Sequence, residues 1–457
     1  MTKTPIDFEE KIIRDASNTI SQLRFIQDRK QLALTKLKDL NFPSRKDEDW
    51  KYFDFNDILG FDQNAQDRQI EAKDLATLID KYVYRETVSN LIVTIDGNYS
   101  KELSNFKSEQ IKIVNFNKAE EIEAQPELKS ITEKFFAQNL EQETKYFKTV
   151  NTILMDSGFL LHIQKNYNSQ SPIQILHIST KANFNQIRSL IYAGTNSKTN
   201  LIVNYIGHEA SKYLTNAVIE TYLDDGAELK LDKIQNESKQ STCLYNLEAT
   251  LCRDSNFEFN SFSFGAKSSR DDININLNGE AADASINGLY VVNGDRKSHH
   301  KVVINHNAPH TESSQLFKGI LQDQSRAEFN GLIEVARAAQ KTNALQLNRN
   351  LLLSDSAHVD SRPQLNILAD DVKCAHGSTV GNISQEELFY LNSRGLSDLE
   401  AKAILTYSFC QEVIDKISIE SGRNYASNLA FASLGADHHG TLETLAENKK
   451  FKHSRYD

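Results

Sequence analysis

The sequence predicts a mainly β chain: a solenoid of short stacked strands held between helical regions at its two ends. Three observations carry this. Helical periodicity marks the first part of the chain and returns after Gly381. From about Gly158, short alternating segments replace it for more than two hundred residues. Within that stretch a turn, a small residue and an apolar strand residue recur at near-regular steps.

Taken in order, Ile12, Ile13, Ile20, Leu23, Ile26, Leu32 and Leu34 fall at helical spacing and predict helix from about Asp7 to Asp39. Pro43 and the charged stretch behind it end that pattern. Asp74 to Tyr82 gives another short helix. Leu91-Ile92-Val93-Thr94-Ile95 runs into Asp96-Gly97 as a strand entering a turn, with Ile111 to Phe116 as its expected partner. Glu127 to Thr152 is helical again, with Leu128, Ile131, Phe135 and Phe136 as its apolar face.

The β region follows, in segments such as Phe159 to Ile163, Leu201 to Ile206 and Ile273 to Leu277, punctuated by turns such as Asp224-Asp225-Gly226. Leu229, Phe257, Ile286, Phe329, Val359 and Cys374 each follow a turn. Their successive separations lie near one, two or three multiples of about 14–15 positions, as expected when each coil supplies two strands and two turns. In such a solenoid the first five share one continuous core. A β-sandwich gives similar alternation without the regular step, and it stays open at this point.

Beyond Gly381, Ser384-Gln385-Glu386-Glu387 and Ser397-Asp398-Leu399-Glu400 are capping boxes. They open helices over Leu388 to Asn392 and over about residues 398–417, with Gly395 stopping the first. The second helix turns Ala403, Ile404, Tyr407, Val413 and Ile414 towards a core or a partner. The polar chain beyond Gly440 is expected to be loosely ordered. The expected divisions are 1–157, mostly helical; 158–382, the β-helix core; and 383–457, a helical domain.

A length of 457 residues favours two or three domains, and no apolar run approaches the ~20 residues of a membrane span. Asp7, Glu9 and Glu10 argue against a secretory signal or an Arg-rich transit peptide, so a cytoplasmic location is expected. A net charge of −10 disfavours nucleic acid or an anionic membrane as partner. The basic tail from Lys449 to Arg455 reads as a solvated end. The four cysteines form no CxxC pair and read as free thiols.

The segment Val372-Lys373-Cys374-Ala375-His376-Gly377-Ser378-Thr379-Val380-Gly381 holds the most specific chemistry. Period-two alternation puts Cys374 and His376 on one face of a strand. A same-face thiol and imidazole suit iron, zinc or a nascent iron–sulfur cluster, but one strand supplies only part of a ligand set. The remainder must come from elsewhere in the fold or from another chain. Cys243, Cys252 and Cys410 read instead as small core hydrophobes. His299, His300, His306 and His310 fit no zinc spacing and read as exposed loop histidines. The sequence holds no GxSxG, Walker A, HExxH or GxGxxG motif, so the common hydrolase and nucleotide chemistries lack a site.

The motif Pro43-Ser44-Arg45-Lys46-Asp47-Glu48-Asp49-Trp50-Lys51-Tyr52 resembles the N-terminal signature of the SufB/SufD family, the scaffold subunits of the SUF iron–sulfur cluster assembly machine. Collinear segments continue the resemblance: Phe329-Asn330-Gly331-Leu332-Ile333, Gln340-Lys341-Thr342-Asn343-Ala344, Asn350-Leu351-Leu352-Leu353-Ser354 and Pro363-Gln364-Leu365. Ala369 to Gly377 and Phe389-Tyr390-Leu391-Asn392-Ser393-Arg394-Gly395 complete it. The Cys-Ala-His-Gly-Ser-Thr-Val-Gly run is similar to the SufD branch. The opening helices and the stretch from Lys118 to Asn151 show no such match.

The resemblance implies a right-handed β-helix core and a non-catalytic subunit complexed with a SufB-like paralogue and two SufC-like ABC-type ATPase subunits. It implies a homodimer for the isolated chain. His376, with Cys374 as a second candidate, would be a ligand to a transient nascent iron–sulfur cluster shared with the partner subunit, and no cofactor is expected in the isolated chain. The same resemblance assigns the ATPase contact to Arg394, Gly395, Leu396, Leu399, Ala403, Ile404 and Tyr407. Two other readings compete: a β-helical carbohydrate-active enzyme, which needs a groove of paired carboxylates, and a purely structural subunit in which Cys374 and His376 are inert.

Overall fold

Period-two alternation buries every second side chain of a strand, and two such strands joined by turns can coil on themselves without limit. In the computed structural model, which describes residues 4–61, 72–138, 140–168, 171–207 and 212–433, the chain does this for about seven turns of a parallel β-solenoid. The tail after Gly440, including Lys449 to Arg455, lies outside the described residues.

The β region opens with β1 (Asn90–Ile95), β2 (Asn98–Phe106) and β3 (Ile111–Asn115). Later strands alternate between two sheets. One contains β4 (Phe159–Ile163), β6 (Phe184–Ala193), β8 (Leu214–Leu223), β10 (Thr242–Leu251), β12 (Ser268–Leu277), β14 (Lys297–His306), β16 (Arg326–Val335) and β18 (His358–Ile367). The other contains β5 (Ile173–Ser179), β7 (Lys198–Gly207), β9 (Glu228–Asn236), β11 (Asn256–Ser263), β13 (Asp283–Val292), β15 (Glu312–Leu321), β17 (Asn343–Leu352) and β19 (Lys373–Gly381).

The five expected core residues share one core, which excludes the antiparallel sandwich. Leu229 pairs with Phe257 between β9 and β11, and Ile286 continues that sheet in β13. Phe329 and Val359 belong to the facing sheet, and all but the half-buried Val359 are fully buried. The last turn from the first sheet to the second, between β18 and β19, has no residue at positive φ, but from β4 to β17 each such turn holds one: Asn166, Asn196, Gly226, Asp254, Ala281, His310 and Lys341. Their N–H groups donate to the next turn, as Asn196 does to the Asp225 carbonyl at 3.0 Å and Lys341 to that of Asp371 at 2.7 Å. The turns therefore stack as regularly as the strands and leave few backbone groups unpaired.

The two ends of the solenoid differ. At the first, β2 pairs antiparallel with β1 and β3 antiparallel with β4. Ile111 to Phe116 is thus not the partner of β1, which takes β2 and β5 instead. The polar β2, bearing Lys101 and Glu102, forms a blunted edge. At the other end β18 and β19 are the outermost strands of their sheets among the described residues.

The N-terminal region holds α1 (Pro5–Ala16), α2 (Arg24–Leu37), α3 (Asn56–Leu59), α4 (Ala72–Tyr82), α5 (Ala119–Glu123), α6 (Pro126–Phe135) and α7 (Tyr146–Leu154). The single helix expected over Asp7 to Asp39 is therefore two, and so is that over Glu127 to Thr152. The second break has a visible cause: the Glu143 carboxylate accepts the backbone N–H of Lys145 at 2.8 Å and the Lys148 ammonium at 2.8 Å, starting α7 afresh. Residues 44–57 strap across the outer face of the even-numbered sheet. There Asp49 meets Lys301 at 2.5 Å, Asp54 meets Lys297 at 3.3 Å and Glu48 meets Arg362 at 3.0 Å.

The C-terminal helices are α8 (Gln385–Ser393), α9 (Asp398–Ile414) and α10 (Glu420–Ser433). Ser397 and Glu400 form the expected capping box, and Gly395 stops α8 at φ +93°. Cys410, Val413 and Ile414 pack with α10 on Ile234, Phe262, Leu289 and Ile320 of the odd-numbered sheet. Asp232 accepts the Ser418 N–H and hydroxyl at 2.8 and 2.7 Å, and the Lys318 ammonium donates to the Phe409 carbonyl at 2.8 Å. No helix among the described residues is long and apolar enough to cross a membrane.

Candidate functional site at the open end of the solenoid

In β19, Cys374 is in register with Ala344 and His376 with Gln346 of β17. Ala344 and Gln346 are buried lumen positions, so Cys374 and His376 do share a face, and it is the inner one. With no coil above β19 among the described residues, the two differ in environment. Cys374 is half-buried in an apolar corner with Ile333, Val335, Ala344 and Leu365, while His376 is exposed at the mouth. Burial pushes the Cys374 thiol up, against a weaker opposing hydrogen bond from the Ala344 backbone. That burial favours the thiol form of Cys374 over the thiolate that binds metal.

The rest of the mouth is polar on one side and apolar on its rim. Ser378 and Ser361 are linked at 2.8 Å, and Ser361 donates to Asn348 Oδ1 at 2.7 Å. Leu368 and Val380 are each more than half exposed at the last coil. This is a large apolar exposure for an uncovered end.

The C-terminal helices present a second surface. Of the residues assigned to an ATPase contact, Arg394, Gly395 and Leu399 are exposed and Ile404 is half-buried. Leu396 and Ala403 are buried within the helical packing, and Tyr407 packs on Phe431 at 4.8 Å. Phe389, 75% exposed, and Tyr390 belong to the same surface, and sequence reasoning did not assign them to it. Their signal was an aromatic pair on a short helix whose other residues are largely polar. Leu399 and Ala403 also line a cleft of about 410 Å³ against Leu352 and Leu353.

The histidine patch is not an exposed loop. His299, His300 and His306 are buried in β14, and only His310 lies exposed in a turn. Alternation sends His299 outward beneath Phe53, where it bonds Glu328 at 3.1 Å, and His300 inward onto the Tyr290 ring. Burial pushes His306 down to about 4, leaving it a neutral partner of Thr311 and Ser313. Cys243 and Cys410 are buried as expected. Cys252 is instead half-buried at a turn, with donor atoms of Asp224 and Asp225 within 4.8 Å. Internal contacts engage that group: Cys252 donates to Tyr222 and Asp224 accepts from Thr195.

The molecule is a β-solenoid with appended helical regions, ending in antiparallel strands on one side and, among the described residues, uncovered on the other, with an imidazole at that mouth. Residues 176–409 match the family described as SUF system FeS cluster assembly, SufBD core domain, and residues 9–175 match the SufBD protein N-terminal region. The chain belongs to the SufB/SufD family of the SUF system of iron–sulfur cluster assembly. It is 28% identical over 436 residues to the iron–sulfur cluster assembly SufBD family protein slr0076 of Synechocystis, covering 92% of this chain and 94% of that one. It is 27% identical over 398 residues to iron–sulfur cluster assembly protein SufD of Escherichia coli, covering 85% and 89%. The protein of that name in Bacillus subtilis is 28% identical over 64% of this chain and 67% of its own.

Proposed function

We propose that the chain is a non-catalytic scaffold subunit that joins a SufB-like paralogue at the β18 and β19 edges and offers His376 to a nascent iron–sulfur cluster held between the two. The cluster is the cargo of this assembly, and the partner supplies the thiolate or carboxylate ligands that one strand lacks. The observation that carries the reading is the asymmetry of the solenoid: antiparallel strands close one end, while the end bearing His376 leaves two strand edges and an apolar rim uncovered. Cys374, packed in its apolar corner, is the secondary group. The exposed Phe389, Tyr390 and Leu399 surface is the proposed seat of a SufC-like ATPase, and the site of action is the cytoplasm.

Anaerobic reconstitution of the co-purified complex with iron and sulfide tests this. His376→Ala should lose cluster formation without losing the complex, and Cys374→Ala should have a milder effect. Cluster formation at the parental rate by His376→Ala would leave a purely structural subunit as the correct reading.

A further inference from the structure

Beneath His376 the lumen holds two glutamines whose amides have no hydrogen-bond partner among the described residues. Gln315 of β15 is in register with Gln346 of β17, and Gln346 with His376 of β19. In-register parallel strands stack such side chains in one column, about 4.8 Å apart. Gln315 is 2% and Gln346 0% exposed, and the Nε2 and Oε1 atoms of both lack a partner. Unpaired amides are rare in a protein interior because each loses its hydration for nothing.

The opposite wall is shaped around the column. A Cβ on Gly331 would lie 2.0 Å from Gln346 Nε2, so the amide as placed fills the space beside that glycine. One coil further in, Gln315 is in register with Ile286 and the column turns apolar. Within this column the unpaired amides thus occupy only the two coils directly under the mouth.

We propose that Gln346 is the positioning residue for His376. Its Oε1, without a partner among the described residues, would accept the N–H of an imidazole nitrogen turned into the lumen, which would fix the tautomer and leave the other nitrogen free at the mouth for iron. A ligating histidine ordinarily donates its second N–H to such an acceptor, and the acceptor sets ring orientation and ligand basicity. An amide, less basic than a carboxylate, suits a ligand that must release its metal. The inference rests on the iron-ligand reading of His376.

The test uses the full chain labelled with ¹⁵N-histidine, with the His376 signal assigned by its loss in His376→Ala. Gln346→Leu removes the polar atoms at similar volume, and Gln346→Met serves where leucine disturbs folding. The apolar variant should melt at the same temperature or higher, since it removes an unpaired buried amide. It should nevertheless shift the metal-free His376 tautomer ratio towards that of a free imidazole. It should also weaken binding of Fe(II) alone by roughly 10–100-fold. Gln346→Glu, which keeps an acceptor, should restore both. A folded apolar variant with the parental tautomer ratio, or a glutamate variant that restores nothing, overturns the proposal. If the parent binds no Fe(II) through His376, the iron-ligand reading fails, while the tautomer measurement still decides the contact between Gln346 and His376.

Discussion

The strap of residues 44–57 is held by two kinds of contact of unequal strength, and separating them is a direct test of its construction. At Trp50, the Arg270 guanidinium lies 3.9 Å from the ring centroid, and the Phe53, Phe55 and Phe147 rings lie at 5.1, 5.4 and 5.6 Å. Arg270 is 3% exposed, so this cation–π contact is desolvated and contributes about 2 kcal/mol. Truncating a buried aromatic of this size costs ~3–5 kcal/mol, and half-buried Trp50 belongs at the low end, about 3 kcal/mol. Asp49 offers far less. Its pair with Lys301 is partly exposed on both sides, which limits Asp49→Asn to ~0.2–1 kcal/mol.

At about 1.4 kcal/mol per factor of ten, Trp50→Ala should open the strap on the order of 100-fold more often, and Asp49→Asn less than about fivefold. Hydrogen exchange of the full chain reads this at the Asp47, Trp50 and Phe53 amides, which bond within the strap. High salt should reproduce the Asp49→Asn effect and leave the Trp50 anchor in place. If salt or Asp49→Asn freed the strap as fully as Trp50→Ala, the assignment of the anchor to Trp50 would be wrong.

Three further outcomes follow from the same contacts. Burial pushes the Glu248 carboxyl up, but Lys148 and Lys145 outweigh it and hold the group at about 2, so its stabilisation is present above the unfolded carboxylate range and is lost as pH falls towards 2. Acid titration of unfolding should show that loss in the parent and a flatter profile for Glu248→Gln. The isolated chain should form a concentration-dependent dimer through its uncovered edge, and sedimentation should find a monomer once Val380→Lys and Leu368→Lys are combined; a dimer that survives both refutes edge pairing. Phe389→Asp with Leu399→Asp should leave the circular dichroism unchanged and abolish ATPase co-purification, and retained co-purification would move the docking surface elsewhere.

Much of the fold was legible because its physics is local. A turn, a small residue and an apolar residue announce a strand, and their step gave the half-coil. The step was only near-regular because coil length varies: the coil that brings Cys243 into register with Ser269 is shorter than the one that brings Ala327 to Val359. Where a turn has a positive-φ position, it is filled by Asn, Gly, Asp, Ala, His or Lys, and several of these announce nothing. What failed was tertiary. β2 faces solvent and reads as loop, and the β14 histidines read as exposed because their partners Glu328 and Asp271 come from neighbouring coils.

The candidate site divides along the same line. Alternation placed Cys374 and His376 on one face, but not one in an apolar corner and the other at an open mouth, since that depends on which coil is last. Gln346 was invisible as a functional residue because it carries no motif and lies a full coil before His376 in the chain. Yet in a solenoid the nearest neighbour of any residue is the one a coil length away. The half-coil step read from Val359 to Cys374, doubled and counted back from His376, lands on Gln346. The surroundings of a solenoid site are therefore encoded in register rather than in motif, and the local coil length, more than the identity of flanking residues, shows which side chains meet.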